Sequence, residues 1–281
     1  MKINKVTLNI QLKTAETVNL GMWQGAKIRS AIIAAVARRY CDSIRYAKCD
    51  TCNIDTCMNK YLFHFKQDKK ARMSANPIIV ECDFNADAVK DDTLNLKIHL
   101  FEPATEYKDD IIEIMESGIY LGQPMVKFQA LEIKEETKVL DISVIDEKSD
   151  KTDSLIEINF ETPFVTNGKS GVTHQQIIRS CTTRITSMVN TVGIDYKVPY
   201  EKAIEAADKL QLVKVEFNST MNSKKSTRTN RFDAIHGVTG KMLIKGDFSD
   251  IYHFLEIASE LNIGKECTMG FGKFTVKEVS D

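Results

Sequence analysis

Two stretches of this chain carry the same succession of hydrophobic periodicities, and that repeat narrows the fold more than any other feature. In the first, VTLNIQL (6–12) sets Val6, Leu8, Ile10 and Leu12 on one face, the period-two alternation of a half-buried strand. Residues 24–40 then place Ile28, Ile32, Ile33, Val36 and Ala37 at helical spacing. PIIVECDF (77–84) and LNLKIHLF (94–101) read as strands. EYKDDIIEIMESG (106–118) reads as a helix, with Asp109 and Asp110 in its first turn and Gly118 as its stop. VKFQALEI (126–133) closes the set as a strand, giving strand, helix, strand, strand, helix, strand.

The order then returns. Residues 134–153 are rich in Lys, Glu and Asp and read as a boundary, in part an extended hairpin. LIEINF (155–160) is a strand stopped by Pro163. Thr173 and Gln176 form a capping box ahead of a helix whose Ile177, Ile178, Cys181, Ile185, Met188, Val189 and Val192 make one stripe. VKVEFNSTM (213–221) and VTGKMLIKGDF (238–248) are strands. Ile251, Phe254, Leu255, Ala258 and Leu261 stripe a helix that Gly264 would cap, and KFTVKEV (273–279) is a final strand. Each half is β-α-β-β-α-β, so the expected class is α+β: tandem ferredoxin-like domains over 1–150 and 151–281.

At 281 residues and 43% hydrophobic content, the chain is long enough for two such domains. Its net charge of −1 neither demands nor forbids a polyanion partner, so a nucleic-acid surface must come from local asymmetry. Seven cysteines, an odd number without secretory features, argue against a disulfide framework. No apolar run reaches membrane-spanning length, and the chain reads as cytoplasmic with no membrane partner.

Three local motifs stand out. IGKECTMGFGKF (263–274) concentrates Gly264, Gly270 and Gly272 beside Lys265 and Lys273. Glycine costs roughly 0.5–1 kcal/mol against alanine in a regular element. One reason to keep it is to let backbone N–H groups approach a phosphate, the reading given to Gly270 and Gly272; the other is a tight cover between helix and strand, which suits Gly264 best. NSKKSTRTNRF (222–232) holds Lys224, Lys225, Arg228 and Arg231 with no acid, either a phosphate track or a solvated hairpin loop. Cys49, Cys52 and Cys57, with Cys41 or His64 as a fourth ligand, have spacing suited to one structural zinc. Reduced cysteines or a local disulfide are the alternatives. Cys82, Cys181 and Cys267 read as core fillers.

Residues 222–274, a basic run followed by HGVTG, a strand, a helix and IGKECTMGFGKF, resemble the C-terminal half of CRISPR-associated endoribonucleases that process precursor CRISPR RNA. These belong to the repeat-associated mysterious protein (RAMP) superfamily. ETPFVTNG (161–168) with the helix carrying Arg184, and the cysteine-rich insertion (about 41–64) with TCNIDTCMNKYLF (51–63), are similar to that family as well. The resemblance implies an RRM-like RAMP fold and binding of CRISPR repeat RNA. It further implies metal-independent cleavage in which a ribose 2′-OH attacks the adjacent phosphate, with no catalytic cofactor. Product crRNA would pass to an effector complex in a prokaryotic cytoplasm.

Such chemistry needs a base, an acid and a cation, and histidine suits the first two roles near neutral pH. Family resemblance directs attention to the region around the first helix. His64 ranks first, with Tyr40 or Tyr61 as partner and Arg38 or Arg39 for charge; His236, beside the basic segment, is the runner-up. His99 and His253 read as structural, and His174 lies in a helix first turn. If His64 binds zinc it cannot be the base, because its lone pair is then occupied. A non-catalytic RNA-binding subunit of an effector complex is the competing function, and a zinc-bearing interaction module a more distant third.

Overall fold

The computed structural model describes residues 1–16, 18, 20, 24–41, 57–63, 74–82, 93–122, 124–166, 171–225 and 232–280, with side chains at 222–225 and 232–233 left aside. The first half runs β1 (Lys2–Lys13), α1 (Gly25–Tyr40), α2 (Met58–Phe63), β2 (Ile78–Cys82), β3 (Thr93–Phe101), α3 (Lys108–Ser117), β4 (Ile119–Leu121) and β5 (Val126–Asp141). Its antiparallel sheet has the order β2-β3-β1-β5-β4. The second half comprises β6 (Ser154–Phe164), α4 (His174–Val192), α5 (Tyr200–Ala207), β7 (Gln211–Lys225), β8 (Phe232–Gly246), α6 (Tyr252–Ser259) and β9 (Phe274–Val279). Its sheet order is β7-β8-β6-β9, also antiparallel. In both, the first strand lies between the third and the last, the ferredoxin-like arrangement expected from the repeat.

The alternation of β1 works as read: Val6, Leu8, Ile10 and Leu12 join Ile28, Ile32 and Val36 of α1 and Ile111, Ile114 and Met115 of α3 in one core. Its other face is not left to water. Ile3, with Ile79, Phe101 and Leu140, enters the core of the second half beside Ile158, Ile178 and Leu255. The first sheet is therefore covered on both faces at this end. The Thr173–Gln176 capping box forms, and Gly193, in the left-handed conformation, ends α4.

Four expectations are revised. β5 continues through Asp141, and a 3-10 turn over Ile142–Asp146 comes next, burying Ile142 and Ile145. Much of the charged stretch after Ile133 is thus strand, paired with β1 along Lys2–Asn9, with its charges largely exposed at the sheet's edge. The helix expected from residue 106 starts at Lys108, after a 3-10 turn Ala104–Tyr107. Short α2, β4 and α5 add three elements that the periodicity does not reveal. Gly264 does not cap α6, which ends at Ser259; it turns the chain against Phe164 and the Val165 carbonyl instead.

Candidate functional site

The glycine-rich loop is laced to the end of β6. Ile263 N–H donates to Gly272 O (3.0 Å), Gly272 N–H to Pro163 O (3.0 Å) and Lys265 N–H to Val165 O (2.8 Å). Thr162 Oγ1 accepts from Lys273 N–H (2.8 Å) and donates to Gly270 O (2.7 Å). Gly270 (φ +82°) and Gly272 (φ +69°) both lie in the left-handed region. A Cβ on Gly270 would sit 2.9 Å from Val80 O on β2, and one on Gly272 only 1.7 Å from Ile263 O. The bare backbone of these glycines therefore faces other backbone. The amides of Gly270, Gly272 and Lys273 are donated within the protein, not arranged as an open anion nest.

Met269 and Phe271 of the loop pack with Val165, with Ile235 of β8 and with Ala26 near the start of α1. One turn along α1, the Arg29 guanidinium lies 5.2 Å above the Phe63 ring. Phe63 ends α2 and immediately precedes His64, which is outside the described residues. Arg29 Nε has no partner among the described residues, and burial lowers the pKa of this guanidinium against the opposing pull of Glu266. Exposed His236 is the neighbour of Ile235 on β8. The start of α1, the end of α2, the loop and β8 thus converge on one spot. Sequence reasoning passed over Arg29, although it is the single charged residue between Lys27 and Arg38.

Arg184 of α4 supports the loop from behind. Its Nε donates to Leu261 O (3.0 Å), and burial lowers its pKa while the Cys267 thiol opposes this.

Tyr40 and Arg39 sit at the other end of α1. Eleven residues at 1.5 Å rise put Tyr40 about 16 Å along the helix from Arg29. The Tyr40 hydroxyl donates to Asp110 of α3, and burial and that carboxylate raise its pKa. Arg39 pairs with Glu113. Arg38 lies over Tyr120 and Tyr61 against Tyr107. The structure does not bring these residues to the loop.

Of the basic residues, Lys224 and Lys225 fall at the far end of the β7–β8 hairpin, where Lys225 pairs in register with Phe232. Arg228 and Arg231 lie outside the described residues. Lys265 is exposed. Lys273 is held by Glu161 (3.1 Å) and Glu81 (3.5 Å). In the proposed zinc set, Cys41 directly follows α1 and buried Cys57 directly precedes α2, bracketing Cys49 and Cys52, which are not described. No metal-ligand cluster occurs among the described residues. His99, read as structural, lies on the outer face of β3 as expected, but the second half covers it. Its Nδ1 meets Thr7 Oγ1 (2.9 Å) and its Nε2 meets Glu81 (3.4 Å). Beyond them opens a cleft of about 390 Å³, lined by Asn9, Gln11, Lys97, Lys134, Glu81 and Lys273 among others.

Fold and loop together give this chain the tandem ferredoxin-like fold seen in solved Cas6 and RAMP structures. A Cas6 solved as a product complex matches with a TM-score of 0.62 at 13% identity, over 97% of this chain and 100% of that one. A Cas6-related protein from Pyrococcus furiosus gives 0.54 at 13%, over 99% of each chain. A RAMP protein described as binding different RNA substrates gives 0.53 at 13%, over 98% and 100%. Residues 3–155 match the AF_1859_N N-terminal domain model, and residues 158–274 match the model of the CRISPR-associated endoribonuclease Cas6. Residues 158–274 thus carry a domain of the Cas6 family of CRISPR-associated endoribonucleases, joined to an AF_1859_N domain over residues 3–155. No curated protein matches it significantly in sequence. Among the described residues, no helix is long and apolar enough to cross a membrane.

Proposed function

We propose that this protein binds CRISPR repeat RNA and cuts it without a metal ion, at the junction of α1, α2 and the glycine-rich loop. The observation that carries this is a largely buried arginine, its Nε unpartnered among the described residues, stacked on Phe63 and flanked by that loop. A guanidinium in such a place is suited to the charge of a pentacoordinate phosphorane. His64 is the proposed acid or base and His236 the runner-up. The 2′-oxygen attacks phosphorus and yields its proton to the base, and the 5′-oxygen leaves with a proton from the acid. The products are a 2′,3′-cyclic phosphate and a 5′-OH.

The hairpin that carries Lys224, Lys225, Arg228 and Arg231, together with Lys265, supplies phosphate contacts outside the cut site. The likeness to a Cas6 product complex and to an RNA-binding RAMP protein supports the choice of ligand. Cys41, Cys49, Cys52 and Cys57 would hold a structural zinc, leaving His64 for chemistry. The product passes to an effector complex. Single-turnover cleavage of repeat RNA in EDTA tests the assignment: His64→Ala and Arg29→Ala should each lower the rate by roughly 10²–10⁴-fold. Tight binding without cleavage by the unaltered protein would instead make it a non-catalytic subunit.

A further inference from the structure

Glu81 sits at the seam of the two halves, on the outer face of β2, with 8% of its surface exposed. A carboxylate there loses most of its hydration and is tolerated only when its partners are well placed. It has them from both halves. His99 of β3 approaches one side, and its other ring nitrogen meets the Thr7 hydroxyl. A neutral ring protonated at Nε2 satisfies both, donating to Glu81 and accepting from Thr7. From the second half comes Lys273, the residue directly after Gly272. The Gly270 backbone rests on the same short stretch of β2, against Val80 O and Glu81 Cα. The glycine-rich loop is thus seated on β2 both at Gly270 and at Lys273.

We propose that Glu81 is a positioning residue for the RNA-cleavage reaction: through Lys273 it fixes the glycine-rich loop of the second half against Arg29 of the first. This rests on the reading that the loop borders the reaction site. Met269 and Phe271 lie between the Lys273 anchor and the Ala26 turn of α1, so a shift at the anchor is passed to the spot beside Arg29. Glu81 touches no substrate and acts only through the loop. Glu81 is buried, Lys273 is partly exposed, and the pair spans the halves, so it favours one relative placement of β2 and loop more than a fully exposed pair would.

The test uses the full-length protein and the variants Glu81→Gln, Lys273→Met, Lys273→Arg and the Glu81→Gln/Lys273→Met double. Single-turnover cleavage should fall about 10- to 100-fold in Glu81→Gln, the penalty of an ångström-scale misplacement. Affinity for a 2′-deoxy repeat RNA that cannot be cut should change less than about threefold, a factor worth under 1 kcal/mol. The double variant should lose no more than the worse single one, and Lys273→Arg should recover most of what Lys273→Met loses. An unchanged rate in Glu81→Gln, or losses that multiply in the double, overturns the proposal.

Amide hydrogen exchange gives a second reading independent of cleavage. In Glu81→Gln, residues 264–273 should exchange faster while α4 keeps its protection. Unchanged exchange in the loop overturns the positioning role even if the rate falls. Where the unaltered protein binds RNA but never cuts it, the nuclease reading fails, and the exchange result alone decides whether Glu81 positions the loop.

Discussion

Alanine at Gly272 should be among the most damaging single-methyl additions in this protein. Two terms set its size. A non-glycine residue at φ +69° carries left-handed strain of about 1–2 kcal/mol. The new Cβ would also lie 1.7 Å from Ile263 O, a backbone atom with no rotamer to escape into. Relief requires a displacement of more than about 1 Å, since Cβ contacts below roughly 3 Å are hard overlap. That movement breaks the Ile263–Gly272 hydrogen bond and strains the one from Gly272 N–H to Pro163 O. Each such bond contributes about 1 kcal/mol. The total is about 3–4 kcal/mol.

Gly193 supplies the control. It has nearly the same dihedral (φ +80°), yet no atom lies within 4 Å of its would-be Cβ. Gly193→Ala should therefore cost only the strain, about 1–2 kcal/mol. At roughly 2–4 °C per kcal/mol, thermal unfolding should drop by about 6–16 °C for Gly272→Ala and about 2–8 °C for Gly193→Ala. Equal shifts for the two would refute the claim that the loop glycines are required by backbone-to-backbone contact.

Replacing Lys224, Lys225, Arg228 and Arg231 with alanine should weaken repeat-RNA binding and flatten its dependence on salt, because fewer counterions are released. An unchanged isotherm removes the hairpin tip from the interface. Metal analysis of freshly purified, reduced protein should find about one zinc per chain, with chelation lowering thermal stability; no bound metal means plain cysteines. Burial alone would raise the pKa of Glu81, but the His99 hydrogen bond and Lys273 charge outweigh it and hold the group at about 2. Its contribution, on the order of 3 kcal/mol, is present above pH 4.5 and lost as the pH falls through 2. Acid titration of unfolding between pH 5 and 2 should therefore be steeper in the unaltered protein than in Glu81→Gln, and parallel curves contradict the assignment.

The doubled strand–helix order was legible because each element covers one apolar face, as β1 and α4 show, and such faces leave periodic traces. What those traces cannot show is how the halves meet. Thr7, His99 and Glu81 lie on faces that a lone sheet would turn to water, so each looks like an ordinary outward residue. Only the second half, seated on them, makes them a buried network. Arg29 escapes for the same reason: its meaning comes from Phe63 and from a loop more than 230 positions away. The glycines stand out by pattern, and their φ values and the Ile263 and Val80 carbonyls account for the bare backbone at these positions. Tyr40 and Arg39 are drawn to the site by sharing a helix with it, and its length carries them away to α3.

The central claim is that the ribose 2′-oxygen is the nucleophile and that no metal takes part. Its most direct test is one gel: repeat RNA and the same RNA with a single 2′-deoxy sugar upstream of the scissile phosphate, each incubated with the protein in EDTA. The first should be cut once per repeat, ending in a 2′,3′-cyclic phosphate. The second should be bound but not cut. Cleavage that needs magnesium and proceeds on the 2′-deoxy strand would contradict the claim.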